Sequence, residues 1–141
     1  MDTEGITAGR LADQETRFAQ SFAARDLELV RPLYHPQVVY LSPTVRLFGW
    51  PSRIEGIDRT LEFIALTIER VTAIAYQAVE QAVLADGRSA FVRIHFDWNR
   101  GSTRLRSNYV VLYRYRDARI AQQELYYDPS GALQVVHPPC V

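Results

Sequence analysis

A chain of 141 residues, 48% hydrophobic and 23% charged, is long enough for one domain with a core of its own. Lys and Arg balance Asp and Glu at 16 each, so there is no basic field to hold nucleic acid, and zero net charge favours self-association. The acidic start, Met1 to Gly5, is unlike a signal peptide, no apolar run nears the roughly 20 residues of a membrane span, and the lone Cys140 can form no intrachain disulfide, so a cytoplasmic protein without nucleic-acid or membrane partners is expected.

Residues 1–10 read as a flexible N-terminus. From Leu11 the apolar positions Leu11, Phe18, Ala19, Phe22 and Ala23 fall on one helical face. Asp26 can cap a second short helix holding Leu27, Val30 and Leu33, weakened by Pro32 and stopped at His35-Pro36. Val38 to Ser42 has the β-branched and aromatic content of a strand. Pro43 to Glu55 reads as an irregular loop. Its aromatics, Phe48 and Trp50, must bury either over a cavity or against a second subunit.

Gly56 to Val71 is a third helix, whose broad stripe of Ile57, Leu61, Phe63, Ile64, Leu66, Ile68 and Val71 predicts burial on more than one side. The remainder is strand material: Ala73 to Ala85, a turn at Asp86-Gly87, Ser89 to Trp98, a turn over Asn99 to Thr103, Arg104 to Tyr115, a short polar turn at Arg116 to Ala118, and Ile120 to Asp128. Helices first and antiparallel strands afterwards make an α+β domain over residues 11–133, with a tail at 134–141. Cys140 in that tail reads as a loose thiol and His137 has no visible partner, while His35 reads as a helix-end residue. Three dispersed histidines show no metal spacing, and neither a phosphate loop nor a Gly-x-Ser-x-Gly elbow is present. No metal or cofactor is expected.

The passage Arg25 to Tyr40, the run Glu55 to Arg59 and the closing Tyr127-Asp128-Pro129, in that order, resemble the SnoaL-like branch of the NTF2-like superfamily. The resemblance spans Leu11 to Leu133. It implies a cone in which N-terminal helices cover the concave face of a curved, mixed but mostly antiparallel sheet. Relatives include ketosteroid isomerases, limonene-epoxide hydrolases, scytalone dehydratases and polyketide cyclases. Fold alone does not select among them. In this chain Ser42 stands where ketosteroid isomerases carry a base, and Leu125 stands where many pocket enzymes of the group carry an acid on the last strand.

The face of the fourth segment, Ser89 to Trp98, decides what chemistry remains. Simple alternation puts Ala90, Val92, Ile94, Phe96 and Trp98 inside and Phe91, Arg93, His95 and Asp97 in water. The family register implies the reverse, with the apolar set forming an outer face that packs a homodimer. In that register His95 is an acid/base, since an ordinary value of about 6.5 suits proton transfer near neutrality, Arg93 stabilises charge, and Tyr40 completes a catalytic set. Ser42, Trp50, Tyr109, Leu125 and Tyr127 then line a site for a small apolar or aromatic carbonyl compound. A histidine among tyrosines in a cone is similar to scytalone dehydratase, a cofactor-free lyase. The resemblance therefore implies a cofactor-independent isomerase, cyclase or dehydratase. The alternatives are a non-catalytic ligand-binding protein and a structural dimer.

Overall fold

The structure is a computed structural model that describes residues 5–128 and 133–136. Pro129, His137 and Cys140 lie outside the described residues. Helix α1 spans Ala8–Ala24, with the Thr7 hydroxyl accepting from the Arg10 N–H at its start. It ends at Arg25, which adopts a left-handed φ of 55° and sends its guanidinium to the carbonyls of Ile68 (2.6 Å) and Val71 (3.0 Å). Its backbone N–H bonds the Phe22 carbonyl and closes α1, while its side chain satisfies carbonyls at and just past the end of another helix. The expected second helix is two 3-10 turns, Leu27–Leu29 and Arg31–Leu33. Asp26 caps the first and Pro32 stands at the start of the second.

Strand β1 (Tyr34–Leu41) starts earlier than its composition suggests, and His35 sits on it rather than at a helix end. The expected irregular loop contains a short helix, α2 (Val45–Phe48), and a short strand, β2 (Ile54–Glu55). Helix α3 covers Ile57–Ile68. Four long strands follow: β3 (Thr72–Val83), β4 (Ser89–Arg100), β5 (Thr103–Arg116) and β6 (Arg119–Tyr127). A two-residue strand, β7 (Gln134–Val135), was not anticipated in what read as a tail. It pairs with β5 at Leu105 and Arg106, beyond the last residues that β6 pairs.

The sheet order is β2-β1-β6-β5-β4-β3, antiparallel except between β1 and β6. Helix α1 lies along β3 and α3 against β1. The core between them holds Leu11, Phe18 and Phe22 of α1, Phe63 and Ile64 of α3, and Ala90, Val92 and Ile94 of β4. Ile6 is buried too, and its N–H reaches the Gly87 carbonyl in the β3–β4 turn at 2.7 Å. The packed unit therefore extends on both sides of the 11–133 limits, through Ile6 at one end and β7 at the other. No helix among the described residues is long and apolar enough to cross a membrane.

Candidate functional site

The concave face of the sheet, α1, α2 and α3 enclose a cavity of about 480 Å³. Phe18 and Phe22 of α1, Ile64 and Ile68 of α3, and Phe96 and Val111 of the sheet form its apolar walls. Leu47, 80% exposed, and Leu133, 45% exposed, also line it, so it opens to solvent between α2 and Leu133. Its polar groups are mostly hydroxyls and amides: Tyr40, Thr44, Thr67, Tyr76, Ser107, Tyr109, Gln123 and Tyr127. Arg100 is the one charged residue among the described residues lining it, and its guanidinium stands over the Trp98 ring at 5.3 Å.

The sheet register explains which side chains arrive there. Residues directly opposite on paired strands share a face. Ile94 stands opposite Tyr109, and Tyr109 opposite Tyr127. Once Tyr109, Val111, Gln123, Leu125 and Tyr127 point inward, Val92, Ile94 and Phe96 must do so as well. Arg93 and His95 therefore occupy the outer face, opposite Val110 and Asn108. Arg93 is exposed and lies 3.9 Å from Glu80. Burial, then Arg106 and Arg93, hold the His95 imidazole below its ordinary value. This corrects the register that the family resemblance implies: Arg93 and His95 cannot act in the cavity, and the apolar set of β4 is core rather than interface.

Trp50 is a second correction. It packs on Phe63 (5.1 Å between centroids) under the Arg59 guanidinium and lines a surface groove instead of the cavity. Leu47 and Phe48, from the same segment, line the cavity in its place. Ser42 is buried at the end of β1, its hydroxyl 2.8 Å from that of Thr44. Tyr40, Tyr109, Leu125 and Tyr127 do come together on the cavity wall, with the Tyr109 and Tyr127 rings 5.1 Å apart. Burial drives the phenols of Tyr40, Tyr109 and Tyr127 upward, and Ser42 offsets part of this for Tyr40 and Tyr127. They remain protonated near neutrality, so they are hydrogen-bond donors and not bases.

Seven of the chain's eight tyrosines point into the cone; Tyr126, 56% exposed, is the exception. At the inner end they surround a polar pair that the sequence reading passed over. Glu15 and Gln14 of α1 are each 4% exposed. The Glu15 carboxyl accepts from the Tyr76 hydroxyl (2.5 Å), the Gln14 amide (2.9 Å) and the Tyr113 hydroxyl (3.3 Å). Gln14 in turn accepts from Tyr115 (2.8 Å), and the Gln123 amide oxygen accepts from Tyr34 (2.6 Å). Burial raises the Glu15 carboxyl above its ordinary value, and the three donors oppose that only in part. The signal was present in the sequence: 11, 14, 15, 18 and 22 form one helical stripe, and two of its members are polar.

The pattern that defines the SnoaL-like domain family matches residues 16–123. No curated protein matches the chain at the level of sequence. Among solved structures, a Bacillus subtilis protein superimposes with a TM-score of 0.72 at 20% identity, over 92% of this chain and 91% of its own. A SnoaL-like protein of unknown function from Burkholderia thailandensis gives 0.69 at 15% identity, over 87% of this chain and 98% of the other. TerC, co-crystallised with polyporic acid, gives 0.69 at 19% identity, over 84% and 92%. At such identities these likenesses establish the fold, the NTF2-like α+β cone.

Proposed function

Because the chain belongs to the SnoaL-like domain family, we propose that it is a small-molecule pocket protein whose cavity takes a small aromatic or largely apolar compound and grips it by an oxygen atom. The observation that carries this reading is the cavity itself: about 480 Å³, aromatic-walled, with the Tyr40, Tyr109 and Tyr127 phenols on one wall. That volume lies in the usual range for drug-sized ligands, and a few convergent donors in an apolar site fix orientation. Among the described residues, Tyr109 has no hydrogen-bond partner within the protein, although its phenol lines the cavity. A ligand carbonyl or hydroxyl would supply one. A proton-transfer role for His95 and Arg93 has no support, since both lie on the far side of β4.

The test is titration with 2-acetylnaphthalene, followed by tryptophan fluorescence, because Trp98 lines the cavity. Saturable binding is expected. Tyr109→Phe should weaken it about five- to tenfold, the worth of one hydrogen bond of roughly 1 kcal/mol. Equal affinity in both proteins would remove Tyr109 as a donor, and no saturable change in the wild type would reject the pocket reading.

The outer sheet face supports a second, separate proposal, a homodimer. Phe91 stands opposite Leu112, and Val110 opposite Tyr126, so an apolar stripe crosses β4, β5 and β6 on the side away from the cavity.

A further inference from the structure

Glu15 is the only acidic or basic side chain buried among the described residues, and no part of the binding reading uses it. Among the described residues no cation acts on it. Gln14 faces it from α1, Tyr76 from β3, and Tyr113 and Tyr115 from β5, with Tyr34 of β1 and Tyr109 close enough to feel its charge. Arg10, exposed on the same helix, acts on Tyr115. A carboxyl without a cation is held inside a fold only at a cost, so its retention calls for a use.

Tyr76 connects it to the cavity. This residue lines the cavity wall and also places its hydroxyl 2.5 Å from Glu15 Oε1. Two proton arrangements satisfy the pair. With Glu15 ionised, the Tyr76 proton points at the carboxylate. With Glu15 protonated, the carboxyl donates to the Tyr76 oxygen, and the Tyr76 proton is released to point elsewhere.

We infer that Glu15 holds a proton for the cavity and delivers it through Tyr76 to an oxygen of the bound molecule, which is a weak oxygen acid such as a phenol or an enol. The inference rests on the pocket reading and specifies its ligand. When the ligand arrives as an oxyanion, the Tyr76 O–H bond breaks and an O–H bond forms on the ligand. The Glu15 O–H bond breaks as the Tyr76 O–H is remade. Glu15 is left as a carboxylate accepting from Tyr76, Tyr113 and Gln14. One proton moves and the single negative charge stays in the site. The reverse direction takes a proton from a neutral phenol or enol. Glu15 acts through Tyr76, so it is a positioning residue and Tyr76 is the group that meets the ligand.

The experiment uses 4-nitrophenol, whose phenol and phenolate absorb at different wavelengths, and its methyl ether 4-nitroanisole, which has the same shape but no exchangeable proton. Affinities are measured from pH 5 to 9 on the full chain. For 4-nitrophenol the wild type is expected to show two inflections, the probe's own and one from Glu15, and for 4-nitroanisole no probe inflection. Glu15→Gln and Tyr76→Phe should each lose the Glu15 inflection and bind 4-nitrophenol about tenfold more weakly at the wild-type optimum. His95→Gln, a change on the outer face, should keep it, so that His95 is not its source. A Glu15→Gln profile that superimposes on the wild type overturns the inference and leaves the pocket reading standing. Failure of both probes to bind the wild type overturns the pocket reading itself. Should Glu15→Gln not fold, Tyr76→Phe decides alone: retention of both inflections rejects the relay.

Discussion

Burying Glu15 also leaves a mark on stability, independent of any ligand. In the unfolded chain the carboxyl titrates at its ordinary value of 4.5, and in the fold burial raises it. Between these two values the folded state holds a proton that the unfolded state releases. The contribution of this group is therefore complete below about 4.5 and is lost as pH rises through the folded value. Glu15→Gln keeps the shape and removes the titration. Its melting temperature relative to wild type should climb as pH rises above 4.5, whereas a constant offset would mean that Glu15 is not held protonated. At this scale the sequence was legible in its phenols and not in its acid. Tyr40, Tyr109 and Tyr127 could be assigned to inward positions of strands. Gln14 and Glu15 look like the solvated face of an amphipathic helix until the stripe from Leu11 to Phe22 is followed through them. Their burial depends on three tyrosines from two distant strands, which no local pattern announces.

Among the elements, β4 teaches the most about register. Plain alternation put Val92, Ile94 and Phe96 inside, and the structure agrees with it; transferring the family's register to β4 while keeping Tyr109 inward on β5 asked two paired strands to turn opposite faces to the same cavity. The Ile94–Tyr109 pair forbids that. The β5–β6 hairpin, by contrast, was readable from its polar turn. Arg116 pairs with Arg119, so Asp117 and Ala118 alone make the connection, with φ of 54° and 60°. Two positive φ values match the right-handed strand twist, but alanine is strained there for want of a relaxed left-handed conformation. Ala118→Gly should raise the urea midpoint by an amount equivalent to about 0.5–1 kcal/mol. An unchanged or lowered midpoint would show that the turn tolerates the side chain without strain.

For the whole molecule, order and class of elements were legible because periodicity and turn residues are local, while the path of the sheet was not. Nothing near Val38 to Leu41 says that this strand, paired on one edge with β2, will lie on its other edge beside residues 122–124. The outer face is the test of assembly. With the apolar stripe of Phe91, Val110, Leu112 and Tyr126 intact, sedimentation at micromolar concentration should give a dimer, and Leu112→Asp should give a folded monomer. A monomeric wild type rejects the interface. The parallel pairing of β1 with β6 has a kinetic consequence as well. β1 precedes β6 in the chain, so one of its hydrogen-bonding edges waits for residues some eighty positions later. Until those arrive, Tyr34, Val38 and Tyr40 have no floor, and an unpaired edge lies open to other chains. Contacts so distant in sequence slow the closing step of folding. The interval between making β1 and making β6 is therefore one in which aggregation competes with folding.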